Sequence, residues 1–468
     1  MKKGKSTVLI GLQYGDEGKA RVLDKILGDS DVVGRFNGGA NAGHTLESDG
    51  IKIILNQIPS GIFYPDKLLY IGSGCVLNPE KLNNEKKRVE SFGISLENRL
   101  FISGNVTLIQ PHHLLLDRIF GKDVGTTMNG IGPAYSDQAL RAEGSRIKNI
   151  KLGEYLSSAS ARENAKENLI ETNLRYNLEL SKENIEESLD KFDCYVKILE
   201  RNLSSDPLFL EKLVEEGKEI FFEGAQSVML DSVTGTTPYV TSSRTVAAAA
   251  YTGGDLSIKH HHKTIGVAKA IMSRVGNGPF ISEYGGERSE KYCAEGNGMA
   301  HVKEDEFKNN DPYKLLKSED MFEFGKGLRM LGGEYGATTK RPRRIGILDL
   351  VMLRQNCMLN GVDELYINKF DSLGIFNDSS LPGIPLVCAY SLDGKEIDYV
   401  PSTITESKKA KPIISYLPKF SEEISSVRDY RSLPTQVKEL IGFIEEKVKT
   451  KICGIGVGPE RNQFVQIL

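Results

Sequence analysis

Thr7-Val-Leu-Ile10, then Gly11-Leu-Gln13-Tyr-Gly15-Asp16-Glu17-Gly18-Lys19, then Ala20-Arg-Val-Leu-Asp-Lys-Ile-Leu27: this run decides the fold. Its first four residues are apolar or β-branched and read as a strand. Its last eight carry the apolar spacing of a helix. The loop between them is punctuated by Gly11, Gly15 and Gly18. Strand, glycine loop, lysine and helix make a phosphate cradle, because free backbone N–H groups and a helix N-terminus face the anion. The strict Walker pattern is not met, since it needs glycine where Gln13 stands. Taken alone, the loop is equally readable as a tight turn. Asp16 argues for chemistry: an acid in such a loop holds a metal or moves a proton. A second loop, Asn37-Gly-Gly-Ala-Asn41-Ala-Gly43-His44-Thr45, supplies a histidine for the complementary acid role. It has few apolar atoms and is costly to order as packing alone.

Outward from this unit, short β-rich runs recur at Ile51–Asn56, Leu68–Ile71, Ile220–Phe222, Thr264–Ala268, Glu364–Ile367, Gly383–Tyr390 and Lys451–Ile455. Helical stretches alternate with them at Asn78–Glu90, Ala161–Leu203, Ile347–Leu359 and Leu433–Lys449. The alternation predicts an α/β fold with a large, mostly parallel central sheet flanked by helices. Ligands then bind at the carboxyl ends of the strands. Length alone suggests two or three domains, but large α/β enzymes can be one, and a single domain over 1–468 is expected. Within it, about 150–205 reads as a charged, solvent-facing helical excursion. About 285–327, with Lys303-Glu-Asp-Glu-Phe-Lys-Asn-Asn-Asp311 at its centre, reads as a mobile surface insertion.

The 468 residues are 39% hydrophobic and 26% charged with a net charge of −3. No basic face is implied, so nucleic acid is not an expected partner. Cys75, Cys194, Cys293, Cys357, Cys388 and Cys453 show no CxxC spacing, which argues for a reducing, cytoplasmic setting. Met1-Lys-Lys-Gly-Lys5 and the apolar stretch after it faintly mimic a signal peptide. That stretch runs into Asp16 and Glu17 and reads as the first strand. No run approaches the ~20 apolar residues of a membrane span.

Later motifs add donors for an anionic ligand. Gly125-Thr126-Thr127-Met-Asn-Gly130-Ile-Gly132-Pro133-Ala-Tyr135 packs glycines and hydroxyls into one loop, and Phe222-Glu-Gly-Ala-Gln226 ends a strand on an amide. Gly235-Thr-Thr-Pro-Tyr-Val-Thr241-Ser-Ser243 brings further hydroxyls. Gly336-Ala337-Thr338-Thr339-Lys340-Arg341-Pro-Arg343-Arg344 joins threonines to arginines that suit a carboxylate or phosphate. Asn368-Lys369-Phe370-Asp371 follows a strand and fits the guanine-reading NKxD pattern. There an Asp carboxylate accepts from the ring N–H and the exocyclic amine together. His260-His-His262 reads as a solvated loop, since adjacent side chains cannot converge on one ion. His112-His113, after Pro111, reads as a helix start.

These motifs, in order from Gly11 to Arg461, resemble the adenylosuccinate synthetase family, which joins aspartate to IMP using GTP. The most specific are Gly15-Asp-Glu-Gly-Lys19, Asn41-Ala-Gly-His-Thr45, Gly130-Ile-Gly-Pro-Ala-Tyr135, Phe222-Glu-Gly-Ala-Gln226, Pro238-Tyr-Val-Thr-Ser-Ser243 and Gly336-Ala-Thr-Thr339. The resemblance implies a catalytic set of Asp16, Lys19, His44 and Gln226. Asp16 would take the proton from purine N1 and bind Mg²⁺ with the carbonyl of Gly43. His44 would serve the transferring phosphoryl group. GTP would lie on Gly15, Glu17, Gly18, Lys19, Gly43, His44, Thr45 and Arg343, with Lys369, Asp371, Gly456 and Gly458 at its base. IMP would be held by Asp16, Asn41, Thr127, Gln226, Thr241 and Arg341, and by Arg141 of a neighbouring subunit, which implies a homodimer. Ala337, Thr338, Thr339, Arg341 and Arg343 would hold aspartate.

The chain departs from the family pattern at Tyr14 (usually Trp), Ala20-Arg21 (Gly-Lys), Met128-Asn129 (Gly-Arg), Ala142 (Arg), Val233-Thr-Gly235 (Asp-His-Gly), Lys340 (Gly) and Gly456-Val457-Gly458 (Ser-Thr-Gly). These departures keep two other readings open. One is a paralogue acting on another 6-oxopurine nucleotide such as GMP or dGMP. The other is a guanine-nucleotide-binding regulator without ligase activity, against which intact Asp16, Lys19, His44 and Gln226 weigh.

Overall fold

The structure is a computed structural model that describes residues 3–468 apart from 29, 49, 125, 295–300 and 337–339. A ten-stranded sheet organises it. In chain order its strands are β1 (Ser6–Gly11), β2 (Val32–Arg35), β3 (Leu68–Ile71), β4 (Leu100–Ser103), β5 (Leu203–Ser204), β6 (Ile220–Glu223), β7 (His261–Lys269), β8 (Val362–Asn368), β9 (Lys451–Gly456) and β10 (Phe464–Gln466). Their spatial order is β5-β4-β3-β2-β6-β1-β7-β8-β9-β10. Every pairing is parallel except β9 with β10.

The sheet is covered on both faces, as parallel sheets require. Val8 and Ile10 of β1 and Phe222 of β6 join one core, whereas Leu9 and Phe221 join the other. This is the two-residue alternation of a strand. β1 is central, with β2 to β6 on one side and β7 to β10 on the other. The loop after β1 therefore leaves the sheet at the point where the strand order diverges, and a crevice opens there.

The expected α/β architecture is present, with two of the predicted strands relocated. Ile51–Leu55 pairs with His44–Ser48 in a hairpin outside the main sheet. Ile384–Leu392 belongs to a smaller mixed sheet with Leu348–Asp349, Lys395–Ile397 and Lys411–Leu417. Periodicity identifies a strand but not the sheet it joins.

The helical excursion is less solvent-facing than its charge suggests. Its two long helices, Ala159–Tyr176 and Lys182–Ile198, bury stripes of Ala161, Ala165, Leu169 and of Ile185, Leu189, Phe192 and Val196. Asn177 ends the first in a left-handed conformation, and Ser181 caps the second. The reading of 285–327 as a surface insertion also needs correction. Residue 327 falls inside the helix Met321–Gly332, which buries Phe324, Leu328 and Met330. The charged helix Lys303–Asn309 is pinned to it: buried Glu306 accepts from Arg329 Nη2 (2.6 Å) and Tyr335 Oη (2.6 Å). A composition count cannot tell a paired buried charge from a solvated one. Among the described residues, no helix is long and apolar enough to cross a membrane.

Candidate active site

The loop after β1 is built by its polar side chains. Gln13, which breaks the Walker pattern, ties the loop to the end of β7: its amide donates to Lys269 O (3.1 Å) and accepts from Lys269 N (3.0 Å). Gly15, Asp16 and Gly18 all have positive φ, which is unstrained only for the glycines. Glu17 is buried and turned inward. Its carboxylate accepts from Gln13 N (3.2 Å), Gly15 N (2.8 Å) and Lys19 Nζ (3.1 Å). Lys19 also donates to Gln226 O at 2.6 Å. The side chain of Glu17 thus serves the loop, and only its backbone is left for a phosphate. Gly18 is needed for space as well, because a Cβ there would meet Asn368 Nδ2 at 2.8 Å. That amide donates to Glu17 O (2.7 Å).

The second loop leaves β2 and is held by Asn37, which exchanges hydrogen bonds with the backbone of Ala225, and by Tyr135, whose hydroxyl accepts from Gly38 N (3.0 Å). His44 is buried at its end. Its Nδ1 lies 3.3 Å from Ser60 Oγ and 3.4 Å from Glu223 Oε2. Both contacts are at Nδ1, so Nε2 is the nitrogen left for a substrate. Burial pushes the imidazole pKa down, more than the Glu223 carboxylate pulls it up, and the ring is neutral at rest.

One cleft of about 500 Å³ is lined by Asp16, Lys19, His44, Thr127, Gln226 and Arg343, among others. Gly15, Gly18, Asn41, Gly43, Thr45 and Thr241 also face it. Glu17, Arg141, Arg341, Lys369, Asp371, Gly456 and Gly458 are not among the described residues that line it. Gly125, Ala337, Thr338 and Thr339 lie outside the described residues. Gln226 has positive φ, and its Oε1 is buried without a hydrogen-bond partner, an acceptor at the cleft wall.

A carboxylate that the sequence reading missed organises the cationic side. Glu334 is fully buried. Its Oε2 accepts from Lys269 Nζ (3.0 Å), Ser273 Oγ (2.9 Å) and Arg343 Nη1 (2.9 Å), and its Oε1 accepts from Lys369 Nζ (2.6 Å). Burial opposes its charge, but the three cations outweigh that and hold its pKa far below the usual carboxylate range. Arg343 reaches on to Asp16 Oδ2 at 2.7 Å. Its fork thus spans the two acids and orients Asp16. Lys369 has its amine on Glu334 and on Gly332 O (2.7 Å). Asp371 Oδ1, by contrast, is buried without a partner. Glu334 and Glu223 were findable in principle, as acids inside or beside quoted motifs. Only the fold shows which cations they meet.

The three adjacent histidines are not the expected solvated loop: His260 is buried against Glu211 (2.8 Å), and His261 and His262 open β7, facing Tyr251 (2.5 Å) and Lys5 (3.4 Å). His112 and His113 do open a helix, Pro111–Val124, and both place Nε2 on Asp137 Oδ2 (2.9 and 3.0 Å). This trio converges closely enough for a metal ion. However, Gln110 N donates to His113 Nδ1 (3.0 Å), so the His113 proton sits on Nε2 and is donated to Asp137. The cluster is a hydrogen-bonded carboxylate that joins this helix to Ile131–Leu140.

Burial pushes the pKa of both imidazoles down, His112 to about 3. Burial alone would raise Asp137, yet the two N–H donors hold it well below its ordinary range. In the unfolded chain the histidines titrate near ~6.5, so acid protonates the unfolded state first. Their contribution is complete above that pH and is lost as the pH falls toward about 3. The melting temperature should therefore drop between pH 7 and 5, and His112→Asn should flatten that drop. An unchanged slope in the variant would mean that His112 is not held neutral.

A central parallel strand, a glycine loop with a buried lysine, and a second glycine loop ending on a buried neutral histidine define a nucleotide-consuming enzyme of the open α/β class. Its kind follows from comparison. The chain belongs to the adenylosuccinate synthetase family, whose sequence profile matches residues 8–465. It is 41% identical over 463 residues to adenylosuccinate synthetase 2 of Cupriavidus pinatubonensis, covering 99% of this chain and 97% of that one. The structure of fully ligated adenylosuccinate synthetase from Plasmodium falciparum matches with a TM-score of 0.81 at 31% identity, covering 99% of this chain and 100% of that one. Cyanophage S-2L succinoaminodeoxyadenylate synthetase, solved with dGMP and dATP, matches with a TM-score of 0.58 over 99% of this chain and 95% of that one. At 17% identity that likeness is one of fold alone. The chain is thus a GTP-dependent ligase of purine nucleotide biosynthesis that forms a C–N bond between IMP and aspartate.

Proposed function

We propose that the chain works as one catalytic domain in the cytoplasm, with Asp16 as base and His44 as phosphoryl-stabilising donor. The observation that carries this is their convergence on one cleft, Asp16 oriented by Arg343 and His44 backed by Glu223. Asp16 takes the N1 proton of IMP, and the electron pair moves to O6. O6 attacks the γ-phosphorus of GTP, the β,γ-bridging bond breaks, and GDP leaves. Lys19 and the backbone N–H groups of Glu17, Gly18 and Thr45 hold the triphosphate, with Gly15 shaping the loop. His44, with Nδ1 on Glu223, presents Nε2 to the transferring group and donates to it when that nitrogen is protonated. The amine of aspartate then adds at C6, phosphate departs with O6, and the amine proton is released. Asn41, Thr127, Thr241, Gln226 and Arg341 hold IMP. Ala337, Thr338, Thr339, Arg341 and Arg343 hold aspartate.

The Asp16 carboxylate and the Gly43 carbonyl are oxygen donors at the cleft wall and fit Mg²⁺. When bound, the ion neutralises the triphosphate charge. The test is incubation with GTP, Mg²⁺ and aspartate against IMP, dIMP, GMP and dGMP, with products identified by mass. Adenylosuccinate from IMP is expected. Consumption of GMP or dGMP but not IMP would assign the chain to a different acceptor.

Guanine selection falls to Asp371, whose buried unpartnered oxygen awaits a donor, with Lys369 fixed beside it by Glu334. Asp371→Asn should weaken GTP and relatively favour xanthosine triphosphate, whose carbonyl replaces the guanine amine. An unchanged preference in steady-state kinetics would mean that this carboxylate does not read the base.

We further propose a homodimer in which Arg141 serves the partner's site. It is exposed, caps the helix Ile131–Leu140 with φ +68°, and is not among the residues lining its own cleft. Exposed Phe120 and Leu140 rim a second hollow of about 450 Å³ beside it, which mixes apolar side chains with Glu143, Lys148, Glu171 and Arg175. Arg141→Leu should raise the KM for IMP and spare that for GTP. Mixing it with an Asp16→Ala chain should restore part of the activity, because one site of each hybrid has two intact halves. Hybrids that form but stay inactive would reject shared sites.

A further inference from the structure

The segment 457–463, which follows β9, is stapled to the phosphate-loop helix Lys19–Ile26 from both directions. Arg21 of that helix donates through Nη1 to Gly458 O, and through Nη2 to Glu460 O (2.8 Å) and Gln463 O (2.6 Å). In return Arg461 meets Asp24 through Nε (2.5 Å) and Nη2 (2.9 Å) and reaches Tyr64 Oη at 3.2 Å. Phe370 N donates to Gly456 O (2.8 Å), and Asn368 reaches the phosphate loop as described. Asp371 therefore stands between a loop anchored by Asn368 and a loop anchored by Arg21. Lys369 and, less strongly, Arg21 are the cations that act on Asp371.

Gly456 lies beside Asp371 through the Phe370 N–Gly456 O bond, and Gly456-Val457-Gly458 offers a base backbone polar groups alone. A Cβ at Gly456 would meet Asn368 Oδ1 at 2.6 Å and one at Gly458 would meet Gln463 Oε1 at 2.3 Å, so a side chain at either position would displace the amide beside it. Selectivity for a base then depends on where that backbone lies. Arg21 sets it, and a planar fork spanning three carbonyls cannot be replaced by a single ammonium.

We propose that Arg21 is a specificity-determining positioning residue: its fork fixes the 457–463 backbone at the distance from Asp371 that fits guanine. The proposal rests on the reading of Asp371 as the base acceptor. It also lets the triphosphate and the base be gripped by one rigid body, since Arg21 lies two residues beyond Lys19 on the same helix.

The test compares Arg21→Lys with the parent using GTP and ITP, which lacks the 2-amino group that Asp371 would accept. Loss of one or two net hydrogen bonds should raise the KM for GTP roughly tenfold. The GTP-over-ITP ratio of kcat/KM should shrink by a comparable factor. The KM values for IMP and aspartate, and kcat at saturation, should stay near those of the parent. Equal losses with GTP and ITP, or no loss with either, would overturn the proposal. A fall in all three KM-defined affinities together with a lowered melting temperature would reduce Arg21 to a structural role and also overturn it. If Arg21→Lys does not fold, Asp24→Asn cuts the second staple while leaving Arg21, and the same loss of the GTP-over-ITP ratio is required of it. Asp371→Asn separates the two layers. If it leaves the preference for GTP over xanthosine triphosphate intact, the reading of Asp371 fails. If it shifts that preference while Arg21→Lys changes nothing, only the role of Arg21 fails.

Discussion

Asp16→Asn is expected to fold normally and to lose turnover almost entirely. The substitution keeps the shape of the loop, and Arg343 retains its second partner, Glu334 Oε2, at 2.9 Å. What disappears is the carboxylate that takes the N1 proton, a contribution typically of ~10²–10⁴-fold. A metal ligand is lost with it, so kcat should fall by at least that range. GTP binding, measured directly by calorimetry without IMP, should persist, because Lys19 and the N–H groups of the loop are untouched. This pattern, kcat lost and ground-state binding kept, marks an interaction made in the transition state. Turnover near that of the parent would remove Asp16 from the mechanism.

His44→Asn should be the second large effect. The imidazole is held neutral by burial and oriented from Nδ1 by Ser60 and Glu223. Asparagine can replace one polar contact but cannot reach the same point as Nε2. Loss of a donor aimed at developing charge costs about 10²–10³ in kcat. Binding of IMP and GTP should change little. Stopped-flow mixing with radiolabelled GTP would place the loss in phosphoryl transfer; a normal transfer burst followed by slow aspartate addition would move His44 to the second step.

The site was legible wherever the chemistry is local. Glycines at positions needing positive φ, a lysine one residue past them and a strand of β-branched residues are requirements of a few consecutive residues, so the phosphate loop and His44 could be read directly. Glu334 could not. It sits two residues before a quoted motif, but its meaning comes from Lys269, Arg343 and Lys369, which arrive from three separate segments. The role of Gln13 was hidden for the same reason: it broke a motif, and its partner is the end of β7, 256 positions away. Charge density misled at 303–311, where Glu306 is buried against Arg329 rather than solvated.

By itself the sequence determined the class of fold, through alternating strand and helix periods, and the identity of the loops at the strand ends. Tertiary structure alone decided the order of the strands, the small sheet that Ile384–Leu392 joins, and the neighbours of each charge. Asn368 shows why: its amide holds the carbonyl of Glu17 from 351 positions away. Backbone propensity and side-chain period act over a turn or a strand. Pairing of buried polar groups is settled only when the whole sheet closes and each donor must find the acceptor that the fold has placed beside it.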